Sequence, residues 1–319
     1  MTRTPRLLPC PARGEQLERA EIERGLLSTP ASVSPKYFYD RLGSLLFEAI
    51  TELPEYYPTR TEAQIFSSHG ADMARRIGAV STLVDLGAGS CAKAARLFGL
   101  LEPSRYVAVD ISVDFLHDAL RRLQRDHPQL DIVGLGQDFS QALDVPRALL
   151  QPRGTLFFYP GSSIGNFTPT HALAFLRAVR AQAHGGGLLI GVDLVKDASL
   201  LESAYDDALG VTAAFNLNVL RQLNLRLAAN FRVGDWRHVG LYNDAQARVE
   251  MHLEARADVT VQWPGARREF ARGERIHTES SYKYSPRGFE ELLQAAGFAR
   301  TAHWTDERGW FGVFWAGAE

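Results

Sequence analysis

From about Ser81 onward, short runs of apolar residues alternate with longer segments whose apolar positions recur at helical spacing. That is the rhythm of strands and helices in a parallel sheet. It predicts strands over residues 82–86, 106–110, 131–135, 155–159 and 188–194. Helices are predicted over residues 90–101, 112–126 with Ser112 as N-cap, and 168–184. The runs Thr155-Leu156-Phe157-Phe158-Tyr159 and Leu188-Leu189-Ile190-Gly191-Val192-Asp193-Leu194 are almost continuously apolar, as strands covered on both faces are. After Lys196 the rhythm stops. A helical run over 200–227 is followed by polar–apolar alternation over 247–261, which reads as antiparallel strands with one wet face. The chain then predicts a helix over 286–296 stopped by Gly297, a strand over 299–305, a turn over 306–309 and a strand over 310–315.

The first strand runs into Asp85-Leu86-Gly87-Ala88-Gly89, and the second ends in Asp110. In open α/β sheets, glycines after the first strand bring bare backbone to a nucleotide-like ligand, and an acid ending the second accepts from ribose hydroxyls. A dinucleotide site wants a third glycine under the pyrophosphate. Here Gly89 is followed by Ser90, Cys91 and Ala92, and S-adenosylmethionine (SAM) has no pyrophosphate. A closing helix and antiparallel hairpin are also how SAM-dependent methyltransferases of the Rossmann-like class complete their sheet. The expected fold is therefore α/β, a Rossmann-like class I SAM methyltransferase sheet with a terminal antiparallel hairpin, plus a second α+β substrate domain. The catalytic domain is expected from residues 58–196 and 285–319, and the substrate domain from 8–57 and 197–284.

Composition narrows the partners. The 319 residues are 45% hydrophobic and 23% charged, with a formal net charge of -2, ordinary for a soluble globular chain. Without a basic run or an aromatic-basic stripe, nucleic acid is not expected. No apolar run approaches a membrane span, residues 1–14 lack an apolar signal core, and Cys10 with Cys91 form no disulfide framework. A cytoplasmic enzyme of small molecules is expected. The histidines show no metal-site spacing, and Cys91 has no evident base, so neither metal nor thiol chemistry is expected.

Four polar segments stand out. Tyr37-Phe38-Tyr39-Asp40 and the stretch from Leu53 to Glu62 concentrate phenols, acids and a guanidinium; tyrosine hydroxyls orient amines or carboxylates, or simply cap a core. Pro160-Gly161-Ser162-Ser163-Ile164-Gly165-Asn166-Phe167 follows the fourth strand, where Gly161 offers a carbonyl to an amine and Asn166 donates to a carboxylate. The competing view makes Asn166 a helix cap, although Thr168 before Pro169 is itself a good one. The same stretch fits the G-x-S-x-G pattern of hydrolases, but too many residues separate its serine from the helix for a nucleophile elbow. After strand three, Asp138 and Phe139 suit an adenine, or equally a capping acid and a core ring. Glu279 and Ser281, two apart on an extended segment, share one face and grip a planar polar ligand, unless the segment is a solvated edge strand.

Taken together, the chain resembles the histidine-specific Nα-methyltransferases of ergothioneine biosynthesis. The resemblance is carried by Tyr56-Tyr57-Pro58-Thr59-Arg60-Thr61-Glu62, Asp85-Leu86-Gly87-Ala88-Gly89-Ser90, the segment from Pro160 to Phe167, Asp193-Leu194-Val195-Lys196-Asp197, Thr212-Ala213-Ala214-Phe215-Asn216-Leu217-Asn218 and Ser281-Tyr282-Lys283-Tyr284-Ser285. It departs at Ala94-Ala95, where threonine is common. The resemblance implies threefold methylation of the L-histidine α-amine to hercynine, with SAM released as S-adenosylhomocysteine, no metal, and a monomeric enzyme. It assigns Gly87, Lys93, Asp110, Asp138 and Phe139 to SAM, and Asn166 and Tyr205 to the substrate carboxylate. Tyr39 and Gly161 fall to the amine, Glu279 and Ser281 to the imidazole, and Tyr56 and Met251 to the pocket lining. A paralogue acting on another amino acid such as tryptophan, a nicotinamide dehydrogenase and a non-catalytic SAM-binding module remain as alternatives.

Overall fold

Strands apolar along their whole length need cover on both faces, and the computed structural model supplies it. It describes residues 3–8, 14–140, 142–151, 153–183 and 185–318; Cys10 and His184, the expected end of one helix, lie outside the described residues. The chain divides into two compact units, one of Met1–Cys10, Pro58–Val195 and Tyr282–Glu319, the other of Pro11–Tyr57 and Lys196–Ser281.

Among the described residues, the first unit is built on an eight-stranded sheet. From edge to edge its order is Arg6–Leu8, Asp131–Gly136, Arg105–Asp110, Thr82–Leu86, Thr155–Tyr159, Gly187–Asp193, Phe311–Gly317 and Arg300–Thr305. The first six strands run parallel, while Phe311–Gly317 pairs antiparallel with both neighbours. The hairpin's second strand therefore inserts beside Gly187–Asp193, leaving its first strand at the edge. This is the class I SAM methyltransferase arrangement expected from the closing helix and hairpin. The strand Arg6–Leu8 had no sequence signal: it is three residues long, and Arg6 reaches Asp131 at 2.9 Å.

Successive strand residues face opposite sides. Val84, Leu86, Val107 and Val109 pack with Phe175 and Leu176 of helix Pro169–Gln182 and Phe289 and Leu293 of helix Pro286–Ala295. Leu83, Tyr106, Ala108 and Phe158 pack with Ile65 and Met73 of helix Tyr57–Ile77 and Leu116 and Leu120 of helix Val113–Asp126. Thr168 caps the Pro169 helix by accepting from His171 N, and Gly297 stops the last helix at φ +97°.

Three expectations need correction. The helix expected over 90–101 is two short helices, Ala92–Ala95 and Phe98–Leu101. Ser112 occupies the N-cap position but makes no side-chain capping bond; its N–H goes to Asp110. The run over 200–227 is likewise split into Ala198–Tyr205 and Val211–Leu227. Asp207 causes that break: its carboxylate accepts from Val211 N at 3.0 Å and Thr212 N at 2.7 Å, satisfying donors that start the second helix. Gly210, at φ +75°, turns the chain there.

The second unit carries a four-stranded sheet, Ala31–Ser32, Arg275–Tyr282, Arg248–Ala255 and Trp236–Asn243. Its longest pair is antiparallel, as the alternation predicted.

One buried group ties the first sheet to pH. Asp85 is 1% exposed and accepts from Tyr106 Oη at 2.6 Å. Burial pushes its carboxyl up to about 7 against that hydrogen bond. The folded chain thus keeps a proton that the unfolded chain releases above the ordinary value of 3.8. The site's contribution is greatest below about pH 4 and declines as pH rises to about 7. Asp85→Asn removes this decline, and its stability relative to the parent should gain up to roughly 4 kcal/mol across that window, at about 1.4 kcal/mol per pK unit. Urea unfolding at a series of pH values measures it; parallel profiles for the two proteins would refute it.

Candidate active site

The carboxyl ends of the parallel strands are where such sheets bind ligands, at the point where strand order reverses. Here the reversal lies between Thr82–Leu86 and Thr155–Tyr159. Gly87 and Gly89 have φ of +71° and +51°, a conformation side chains rarely adopt. The N–H groups of Gly87 and Ala88 donate to Val109 O at 2.8 and 3.2 Å. Gly89 N donates to Asp110 Oδ2 at 2.9 Å, while Asp110 Oδ1 accepts from Ser112 N at 2.8 Å. Burial pushes the Asp110 carboxyl upward against these donors. The acid at the second strand thus holds the glycine loop as well as facing the ligand edge.

Cys91 follows in the left-handed region, and burial raises its thiol far above the usual range, which suits packing and not nucleophilic chemistry. Asp138 accepts from Ser140 N at 3.0 Å in a tight turn, not at a helix start. Phe139 packs edge-on to Tyr159 and against Phe175, with ring centres 5.7 and 5.9 Å away. A Cβ on Gly87 would sit 3.9 Å from the Phe139 ring. Open glycine backbone, a carboxylate at the second strand and an aromatic after the third form a donor set that fits an adenosine.

The loop after the fourth strand is held by two buried acids. Glu62 Oε1 accepts from Gly161 N at 2.8 Å, and Glu62 Oε2 pairs with Lys93 Nζ at 2.8 Å. Ser162, at φ +60°, accepts on Oγ from Asp193 N at 2.9 Å. The Asp193 carboxylate pairs with Lys283 Nζ at 2.9 Å, both side chains essentially unexposed. Ser163 sits in a 3-10 turn with Asn166 and donates to Pro160 O. Both serines of the hydrolase-like pattern are spent on the loop, and the strained one is not the pattern's serine.

In the second unit, Tyr39 ends the 3-10 turn Pro35–Phe38 and begins a chain of rings. Tyr39 lies 6.0 Å from Phe47, Phe47 6.1 Å from Tyr56, and Tyr56 6.5 Å from Tyr205. Asp40 anchors its start, accepting from Gly43 N, Asn218 Nδ2 and Gln222 Nε2 at 2.7–2.8 Å. Tyr205 is the last residue before the Asp207 break. Its hydroxyl donates to Ser281 Oγ at 2.8 Å, and its carbonyl accepts from His238 Nε2 at 2.8 Å. Asn216 Nδ2 meets His238 Nδ1 at 2.8 Å and donates to His252 O at 3.0 Å. Burial depresses the His238 pKa, which keeps the ring neutral and Nε2–H the donor to Tyr205.

Along Arg275–Tyr282 the buried positions are Ile276 and Thr278, then Glu279 and Ser281. The alternation slips by one residue at Thr278, as a β-bulge produces. Arg275 pairs with Glu254 at 2.8 Å, and His277 lies 5.2 Å from His252 and bonds Ser280. Those groups keep the outer face. Glu279 and Ser281 are buried, and Ser281 meets Tyr205. Met251, 2% exposed, pairs with Gly240, and its carbonyl accepts from Thr278 Oγ1 at 3.0 Å.

Of the candidate residues, Gly87, Lys93, Asp110, Asp138, Phe139, Gly161 and Asn166 belong to the first unit, and Tyr39, Tyr56, Tyr205, Met251, Glu279 and Ser281 to the second. Glu62, Asp193, Lys283 and Asp40 support them, and sequence reasoning gave these no role. Their one signal was a charged residue inside an otherwise apolar stripe or motif. Among the described residues, no group of three or more His, Cys, Asp or Glu is placed to hold a metal ion, and no helix is long and apolar enough to cross a membrane.

The strand order, the glycine loop held by Asp110 and the inserted antiparallel strand define a class I SAM-dependent methyltransferase. Residues 18–318 match the model of the family described as histidine-specific methyltransferase, SAM-dependent. The chain belongs to that family. It is 41% identical over 303 residues to the histidine N-alpha-methyltransferase of Mycobacterium tuberculosis (strain CDC 1551 / Oshkosh), spanning 92% of this chain and 93% of that protein. The enzyme of the same name from Mycolicibacterium smegmatis is 39% identical over the same shares. Ergothioneine biosynthesis protein 1 of Neurospora crassa is 31% identical over 86% of this chain, which covers 32% of that longer protein.

A Cβ on Gly240 would lie 3.0 Å from Tyr205 O, so a side chain there pushes on the helix end that presents Tyr205. Gly240→Val should destabilise the protein by about 1–3 kcal/mol through overpacking. An unfolding midpoint equal to the parent's would show that this approach is not tight.

Proposed function

We propose that this protein transfers three methyl groups from SAM, one at a time, to the α-amine of L-histidine, forming hercynine and three molecules of S-adenosylhomocysteine. The observation that carries this reading is the burial of Glu279 and Ser281 on one strand, with the Ser281 hydroxyl met by Tyr205. A carboxylate and a hydroxyl two residues apart match the two nitrogens of an imidazole, one donating and one accepting. The names of the relatives with 41% and 39% identity support the same acceptor.

In this reading Gly87 and Gly89 bring backbone to the donor, Asp110 takes the ribose hydroxyls, and Asp138 with Phe139 takes the adenine. Lys93 stands on the donor side. SAM supplies a methyl group on a sulfonium, open to in-line displacement. The protein's task is therefore alignment of a neutral amine lone pair, with no covalent intermediate on the chain. Asn166 and Tyr205 hold the substrate carboxylate, Tyr39 and Gly161 orient the amine, and Tyr56 and Met251 line the pocket. Counted from the α-ammonium of the free amino acid, one proton leaves the nitrogen for each methyl gained, and after the third none remains, which ends the reaction. We assign the enzyme to the cytoplasm as a monomer that needs neither nucleic acid nor membrane, in keeping with its near-neutral charge.

Selectivity follows from unpaired polar groups. A buried Glu279 facing an apolar side chain loses its partner, and sites of this kind discriminate by about 10⁴. Incubation with SAM and the twenty amino acids should show histidine as the one that gains three methyl groups by mass spectrometry. Glu279→Ala should lower kcat/KM for histidine by about 10³-fold or more while calorimetric SAM affinity stays within about threefold. Equal losses in turnover and SAM binding would remove Glu279 from the acceptor site.

A further inference from the structure

The motif from Tyr56 to Glu62 ends in a carboxylate that the mechanism above does not use. Glu62 lies inside helix Tyr57–Ile77 with its side chain 2% exposed. Its two oxygens serve two different segments. Oε1 takes the N–H of Gly161, on the loop after Thr155–Tyr159, and Oε2 takes the ammonium of Lys93, in the short helix after the glycine loop. The surrounding backbone is shaped for it. A Cβ on Gly191 would lie 1.9 Å from Glu62 Oε1, and one on Gly161 would lie 2.9 Å from Lys93 Nζ. A neutral amide cannot replace the acid here, because its NH₂ would face the Lys93 ammonium donor to donor.

We propose that Glu62 is a positioning residue for methyl transfer, setting the spacing between the Gly161 loop and Lys93 by holding both through one carboxylate. The inference rests on the function proposed above, in which Lys93 faces the donor and Gly161 the acceptor amine. An in-line displacement needs donor and acceptor in near-attack geometry, and a misplacement of about 1 Å costs about 10²-fold in rate. Glu62 touches neither reactant in this role. It acts through the two groups it grips.

The test compares the parent with Glu62→Gln and with Gly191→Ala, which keeps the carboxylate but drives a methyl group into its seat. Calorimetric titration with SAM counts the folded, donor-competent sites, and kcat is expressed per such site. Both variants should lose kcat for histidine by about 100-fold, with the KM for histidine within about threefold of the parent. A role confined to folding would lower the number of SAM-binding sites and leave kcat per site unchanged; that result in both variants overturns the inference. A parent protein that binds SAM but does not methylate histidine overturns the function and the inference together. An active parent with unaffected variants overturns the inference alone.

Discussion

A carboxylate taken out of water must be met by donors on the oxygens it exposes, and the first unit depends on this constraint at Glu62. Its partners, Gly161 N and Lys93 Nζ, lie on separate loops at the ligand-bearing edge of the sheet. Removing one partner leaves part of a buried carboxylate uncompensated, which holds the two loops to one low-energy arrangement. Asp110 does the same for the glycine loop through Gly89 and Ser112. Asp193 does it for the re-entering chain through Lys283, while its own N–H steadies Ser162. Apolar strands make the platform; buried acids fix what stands on it.

The second unit solves a different problem, the presentation of polar side chains on a buried face. His238, kept neutral by burial, ties the carbonyl of Tyr205 to Asn216 and through it to the strand at His252. The Tyr205 hydroxyl then meets Ser281. The outer face of the same sheet is ionic. There, burial would push the Glu250 carboxyl up, but hydrogen bonds from Arg248, Asn243 and His252 outweigh it and hold the group at about 2. Burial and the neighbouring His252 push His277 down to about 4.

Much of the fold was legible because parallel strands and amphipathic helices write short-period patterns. Thr82–Leu86 and Thr155–Tyr159 appear at their expected limits. The errors fell where short-range polar chemistry competes with periodicity. Asp207 and Gly210 broke a helix whose apolar spacing continued across them. The strand Arg6–Leu8 went unseen because three residues carry no period, and its pairing with Asp131–Gly136 is more than a hundred residues away in the chain.

By itself the sequence determined the strand rhythm, the glycine loop with its acid and the identity of the polar residues near the ligand edge. These depend on neighbours within a few residues, where side-chain period and backbone freedom act. Only the tertiary structure decided that the last strand inserts beside Gly187–Asp193, that Glu62 joins Gly161 to Lys93, and that Ser281 is buried against Tyr205. Each of those outcomes is a choice of partner for a buried donor, acceptor or strand edge, made among groups tens to hundreds of residues apart, and no local pattern encodes which one wins.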